Sequence, residues 1–199
     1  MTPNREDYIK IIFAMNEKNS KLTNKELAET LEISQASASE MVRKLIDSER
    51  VTKDKVLGLK LTEKGIKEAQ DLVRKHRLWE VFLVEHLNYT WTEVHEDAEV
   101  LEHVTSTVLA DRLSEFLGNP KYCPHGSIIY GNQASQKNLN NLASLSVGDR
   151  ATFIRVREDQ ELLKYIETLN LQLNDSFELV KIDPYEGPYH INVDGKDIA

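Results

Sequence analysis

With 199 residues, 25 Lys/Arg against 33 Asp/Glu and a net charge of −8, the chain is moderately acidic and has room for two or three small domains. A single cysteine, Cys123, excludes an intrachain disulfide, and no apolar run approaches the roughly 20 residues of a membrane span. The polar start MTPNREDYIK is not a secretory signal, so a reducing cytoplasm is the expected setting, without a membrane partner. The charge is uneven: residues 1–75 hold 15 Lys/Arg against 13 Asp/Glu, and the remainder 10 against 20. A mildly basic module joined to an acidic body suits a DNA reader attached to something that binds cations or partners.

Thr2-Pro3 predicts the start of a helix in which Tyr8, Ile11, Ile12 and Met15 recur at helical spacing, with Asp7 in its first turn. There a carboxylate is favoured by the helix dipole alone. Thr23-Asn24-Lys25-Glu26 is a capping box that opens a short helix through Leu31. After the turn Leu31-Glu32-Ile33-Ser34, Ser34 caps a second helix with Met41, Val42, Leu45 and Ile46 on its inner side. Two short helices joined so tightly make a helix-turn-helix. Gln35, Ser37, Ser39 and Glu40, on the exposed start of the second helix, are candidates for reading base edges. Alternation around Gly58 predicts a two-stranded wing whose Lys53, Lys55 and Lys60 face phosphates.

Thr62-Glu63-Lys64-Gly65 begins a long connecting helix that reaches Leu87 and carries His76 and Glu80 at i,i+4. Next comes WTEVHEDAEVLEH, residues 91–103, read as a helix capped by Thr92. On it His95, Glu99, Glu102 and His103 stack along one face, while Val94, Ala98 and Leu101 lie on another. A solvated Glu/His stripe is the plain reading of that face, and a ligand set the sharper one. Thr105 to Leu117 is a further amphipathic segment, stopped by Gly118-Asn119-Pro120. Three helices with this much apolar surface suggest a dimer interface. Cys123-Pro-His125-Gly then sets a thiol and an imidazole two residues apart, close enough to share a metal, although alone the motif is weak and fits an inert cysteine better.

Residues 132–141 read as a polar linker. Beyond it, Arg150 to Val156, Leu171 to Ile182 and Tyr189 to Val193 read as strands, with a short helix at Asp159 to Leu169. Gly148-Asp149, Leu173-Asn-Asp-Ser and Asp183-Pro-Tyr-Glu-Gly-Pro supply turns. Together they predict a small β barrel.

Taken in this order, the helix-turn-helix with its wing, His76-Arg-Leu-Trp-Glu80, Glu99-Val-Leu-Glu102-His103 and Cys123-Pro-His125-Gly resemble the diphtheria toxin repressor family of metalloregulators. The likeness is greatest to the manganese-responsive branch known from streptococci; it is strong over about residues 2–130 and looser beyond. It implies a mainly α fold with a small β domain. The parts are a winged helix-turn-helix (1–70), a helical dimerisation and metal-binding domain (71–131), a linker (132–144) and an SH3-like, FeoA-like barrel (145–199). With the chain stopping at Ala199, that barrel is expected to be shorter than usual in the family.

Carried over position by position, Asp7, His76, Glu99, Glu102 and His103 match one metal site. Glu80, Cys123, His125 and a third-domain carboxylate match a second, with Glu158 favoured for the last place and Asp159 the runner-up. His95 matches an ancillary position and is left as a neighbour; His86 and His190 match nothing and are read as structural. Position 10 is Lys10 where some relatives carry a second carboxylate for a paired-metal site, and the recognition helix begins Gln35-Ala36 where relatives often have proline. The implied function is a metal-dependent repressor, not an enzyme, that binds palindromic double-stranded operators as a homodimer and controls manganese or other metal uptake genes. Mn(II) is the expected ion, with Fe(II) as the alternative within the family and Zn(II) able to substitute in vitro. One ion joining Asp7 to Glu99, Glu102 and His103 is expected to tie the DNA domain to the dimerisation domain, and without it these carboxylates are expected to repel. A metallohydrolase is the competitor from another class, but no H-E-x-x-H, Ser/His/Asp set or phosphate loop appears. An organic effector is the other alternative, and no small-molecule substrate is expected.

Overall fold

The computed structural model describes residues 4–133, 139–185 and 187–198. They form two compact units, one comprising the chain to His76 with Glu99–Ala110, the other Arg77–Ala98 with the chain from Asp111 onward.

In the first unit, α1 (Arg5–Glu17) starts at Asn4, whose side chain accepts from the amides of Glu6 and Asp7. The predicted start at Thr2-Pro3 lies outside the described residues. Tyr8, Ile9, Ile12 and Phe13 make its buried face. α2 (Asn24–Thr30) and α3 (Gln35–Asp47) begin at Thr23 and Ser34 as predicted, because each hydroxyl satisfies an amide of the first turn that has no partner within the helix. The reciprocal Glu26 bond completes the box at α2 and holds that carboxyl below its ordinary range. Leu27, Ala38, Val42 and Leu45 close the core between the two helices. β1 (Val51–Asp54) and β2 (Gly58–Leu61) form the wing, in antiparallel register Val51 to Leu61 and Asp54 to Gly58. Gly58 has φ +73 and lies so near Leu22 that a Cβ would stand 2.3 Å from that carbonyl oxygen, so only glycine permits the wing to dock there.

α4 (Glu63–Leu87) is the predicted long helix. α5 (Val94–Val104) is preceded by a capping box in which Thr90, not the expected Thr92, makes the reciprocal bonds. The Thr90 amide donates to Glu93 Oε2 at 3.1 Å and the Glu93 amide to Thr90 Oγ1 at 3.3 Å. T-x-x-E at 90–93 is itself a capping-box signature, and Glu93 decides between the two threonines. α6 (Thr107–Phe116) follows after a break at 105–106.

The second unit contains β3 (Arg150–Thr152), α7 (Gln160–Thr168), β4 (Ser176–Ile182), β5 (Tyr189–Val193) and β6 (Lys196–Ile198). The expected barrel is instead, among the described residues, a four-stranded antiparallel sheet in the order β3-β4-β5-β6. The strands predicted from Arg150 and Leu171 are shorter than expected, and β6, after the Asp194-Gly195 turn, was not predicted. Residues 153–159 leave the sheet because their apolar members pack elsewhere: Val156 joins Leu163 and Ile166 of α7, with Phe153 and Trp91 against them. Asn132, in the expected linker, is buried and donates to Ser114 Oγ and to the Pro120 carbonyl, each at 2.9 Å. Residues 134–138 of that linker, Glu186 in the last turn and Ala199 lie outside the described residues. No helix among the described residues is long and apolar enough to cross a membrane.

Candidate metal centres

Within the first unit, α1, the end of its stretch of α4 and the later half of α5 bring five of the sequence-predicted residues together. Ligand atoms of Asp7, Glu99 and His103 lie within 4.8 Å of one another, as do those of His76, Glu99 and Glu102, so Glu99 belongs to both sets. Asp7 serves two purposes. Its Oδ2 accepts from the Asn4 amide at 2.6 Å and completes a capping box, while Oδ1 stands 3.0 Å from His103 Nε2. The other nitrogen of His103, Nδ1, faces Glu6 Oε2 at 2.7 Å. His76 Nδ1 meets the fully buried Glu102 at 2.5 Å.

Two members of this cluster were not singled out as parts of a site from sequence. Glu6 orients His103, and the i,i+4 rule could not find it because the two are 97 positions apart. The second is Lys10. Its ammonium donates to Glu99 Oε2 at 2.6 Å and to both oxygens of Glu102 at 2.9 and 2.7 Å. The expected repulsion among Asp7, Glu99 and Glu102 is therefore offset by a cation supplied by the chain. Burial alone would lower the Lys10 pKa, but the neighbouring Glu102 and Glu99 charges outweigh it and hold Lys10 above its ordinary value.

Within the second unit, Glu80, Cys123, His125 and Glu158 present ligand atoms within 4.8 Å of one another. Glu80, Cys123 and His125 are buried, whereas Glu158 is exposed. The Cys123–His125 turn is fixed by its backbone. The Gly126 amide donates to the Cys123 carbonyl at 2.9 Å, and the Val156 amide to the His125 carbonyl at 3.0 Å. His125 Nε2 lies 3.3 Å from the Trp91 carbonyl oxygen, which leaves Nδ1 facing Glu80 Oε1 at 3.3 Å and Cys123 Sγ at 4.0 Å. A backbone carbonyl on one ring nitrogen is the usual support for an imidazole whose other nitrogen ligates.

Of the two candidate third-domain carboxylates, Glu158 stands in this cluster, while Asp159 caps α7 by accepting from the Leu162 amide. Burial, then the Glu80 and Glu158 charges, push the Cys123 thiol well above its ordinary range. Desolvation opposes protonation of His125, but the Glu80 hydrogen bond and the two carboxylate charges outweigh it and raise its pKa. Glu80, Cys123 and His125, buried together beside the Glu158 carboxylate, are costly to charge, and a divalent cation would offset that cost. This donor set could hold a metal.

Gly126 has φ +83, and a Cβ there would stand 2.1 Å from the Ile154 carbonyl oxygen. Gly126→Ala is expected to push the Cys123–His125 turn away from residues 154–158 and weaken metal binding at this cluster by about 10–100-fold. Equilibrium dialysis measures the loss, and unchanged affinity would show that the close approach does not position the ligands.

His95 is half-buried and presents a ligand atom within 4.8 Å of one from Glu80, as a neighbour of the second cluster. His86 stacks at 5.3 Å on Phe82 and at 5.1 Å on Phe116, and His190 pairs with Asp183 at 2.8 Å. On α3, Gln35, Ser37, Ser39 and Glu40 are exposed, as are Lys53, Lys55 and Lys60 of the wing. Ser39 accepts from Asn24 Nδ2 at 3.1 Å, and Glu40 pairs with Lys44 at 2.7 Å.

Comparison with known proteins places these features together. Residues 1–59 match the N-terminal DNA binding domain of the iron dependent repressors, residues 62–131 their metal binding and dimerisation domain, and residues 140–199 the FeoA domain. The chain is similar to the structure of the manganese regulator SloR, with 44% identity, TM-score 0.82, and coverage of 100% of this chain and 93% of that one. It is also similar to ScaR with bound Zn2+, with 39% identity, TM-score 0.85, and coverage of 98% and 93%. With the HTH-type transcriptional regulator MntR of Geobacillus kaustophilus it shares 34% identity over 116 residues, 58% of this chain and 82% of that protein. A 65-residue stretch, 33% of this chain, is 49% identical to a probable metal transport system membrane protein of Chlamydia trachomatis, of which it spans 14%.

Proposed function

Since the chain belongs to the iron-dependent repressor family of metal-dependent, dimeric, DNA-binding transcriptional repressors, we propose that its effector is Mn(II) and that its targets include metal-uptake genes. Asp7, His76, Glu99, Glu102 and His103 hold one ion; Glu80, Cys123, His125 and Glu158 hold another. One observation carries this reading: a carboxylate on α1 of the winged helix stands with a carboxylate and an imidazole of α5 inside the first unit.

Bound there, a divalent ion supplies a strong positive charge that several carboxylates and imidazoles can share. Asp7 contributes its cap-free oxygen, and Glu6 orients His103. α1 is thereby fastened to α5. In a two-fold dimer the recognition helices must enter major grooves ~34 Å apart or a multiple of it, and fastening α1 raises the fraction of molecules already in that geometry. Gln35, Ser37, Ser39 and Glu40 then face bases, with Lys53, Lys55 and Lys60 on phosphates. Val100, Val104, Val108 and Leu109 form an exposed apolar run on α5 and α6, the kind of surface that a dimer covers. Glu80, Cys123, His125 and Glu158 join α4, the loop after α6 and the segment before α7, so an ion there orders the second unit.

Carboxylates with imidazoles suit Mn(II), and solved relatives named as manganese-responsive support the same choice. Zn(II) is expected to substitute in vitro, as it binds ScaR. The named relatives are regulators, which speaks for a binding protein over a hydrolase and for action in the cytoplasm, where DNA is.

The test is an electrophoretic mobility titration on the intergenic DNA upstream of this gene and of neighbouring transporter genes, with Mn(II), Fe(II), Zn(II) and a chelator. Binding that appears with Mn(II) and disappears with chelator is expected. A lower threshold for Fe(II) would transfer the effector role to iron, and binding indifferent to every metal would overturn the reading.

A further inference from the structure

Lys10 lies one helical turn after Asp7, so both side chains leave the same face of α1. Its Nζ is surrounded by donor atoms of the proposed metal site: Glu99 Oε2 at 2.6 Å, the two Glu102 oxygens at 2.9 and 2.7 Å, and His76 Nδ1 at 3.4 Å. This is the coordination a small cation would receive, given to an ammonium instead. Glu102 is fully buried and only 20% of the Lys10 side chain is exposed, so the pair is poorly screened by solvent. Glu99 is claimed twice, since it also stands with Asp7 and His103.

We propose that Lys10 is a tethered competitor for the metal, whose ammonium must leave Glu99, Glu102 and His76 before those residues can ligate an ion. The proposal rests on the metal reading of this cluster and adds a threshold to it. An ammonium is fixed in the chain at a high local concentration, so an ion binds only when its attraction to the carboxylates exceeds that of the lysine. Lys10 ties α1 to Glu99, Glu102 and His76 only, whereas the ion's tie also takes in Asp7 and His103, and it is this second tie that sets α1 in the DNA-binding geometry. The two ties exclude one another because the ammonium stands among the oxygens that would hold the ion, and two cations that close together repel. Metal loading is therefore an exchange of ties, and the lysine sets how much metal the exchange requires.

Three measurements on the full-length protein test this. Replacing Lys10 by a neutral chain of similar length, Lys10→Met, is expected to tighten Mn(II) binding at the Asp7-dependent site by about tenfold or more, read by equilibrium dialysis. Lys10→Arg retains the charge and is expected to stay near the parent affinity. In the unmutated protein, Mn(II) is expected to speed acetylation of Lys10 by an amine-reactive reagent, followed by peptide mass spectrometry, because the displaced amine moves to solvent. This last readout requires no variant to fold. Should Lys10→Met bind Mn(II) no more tightly while Asp7→Ala removes an ion from the parent, the competitor role fails and the metal site stands. Acetylation of Lys10 that Mn(II) slows or leaves unchanged has the same meaning. If Asp7→Ala leaves the bound Mn(II) count unchanged, the metal reading of the cluster fails and the lysine proposal with it.

Discussion

Asp7→Ala is expected to leave a dimer that no longer gains operator affinity when Mn(II) is added. The parent gain is the coupling between metal and DNA sites, on the order of 5–150-fold for such systems, and the variant should lose all of it. Asp7 sits on α1, whereas Glu99, Glu102 and His103 sit on α5, so its removal takes away the ligand that joins the two helices. A second, smaller effect is separable. Asp7 Oδ2 also accepts the Asn4 amide, and loss of that cap is expected to cost about 1 kcal/mol of stability. Asp7→Asn, which keeps a side-chain oxygen for the cap but not the charge, should recover most of the stability and none of the coupling. Gel-shift titrations beside thermal melts distinguish the two effects. Retained metal dependence in Asp7→Ala would sink the idea that one ion fastens α1 to α5.

His125→Ala is expected to remove metal binding from the second unit and with it the metal-dependent ordering of residues 153–159. In the parent, an ion at 100 times its dissociation constant stabilises the folded state by about 2.7 kcal/mol, which corresponds to a rise in Tm on the order of 10 °C for a unit of this size. The variant should lack this gain. Hydrogen exchange localises the effect, since the Val156 amide is bonded to the His125 carbonyl. The sign with pH follows from the site. Burial and the two carboxylates hold the Cys123 thiol protonated, and Glu80 and Glu158 favour a protonated His125. A metal can take their lone pairs only by displacing protons, so binding should strengthen as pH rises through neutrality, by about tenfold per pH unit for each proton released. Calorimetry in buffers of different ionisation enthalpy counts those protons. Equal affinity at pH 6 and pH 8 would mean that neither group gives up a proton to the ion.

The local elements were readable because their chemistry is local. Thr23 with Glu26 and Ser34 with the Ser37 amide act within one helical turn, so four residues of sequence contain the whole interaction. The same reasoning misassigned the cap before α5 only by choosing the wrong one of two nearby threonines. Strands were harder, because a strand is completed by a partner distant in sequence. Arg150 and Thr152 pair with Glu178 and Ser176, whereas Phe153 and Val156 turn instead toward Trp91 and α7. Alternation along 150–156 reads the same for both outcomes.

The sequence by itself determined the helix-turn-helix, the wing, the long connecting helix and the residue types that converge on two clusters, because periodicity, caps and motif order are properties of short stretches. Tertiary structure alone decided which atoms meet. It gave Asp159 to the start of α7 and left Glu158 with Cys123 and His125, since one carboxylate oxygen already engaged by a first-turn amide is held at the cap. It divided Asp7 between a cap and His103, and set Glu6 behind that histidine. Above all it carried Lys10 across about 90 positions of sequence into the carboxylates of α5. A charge's partners depend on distance in space, and that distance exists only once the chain has folded.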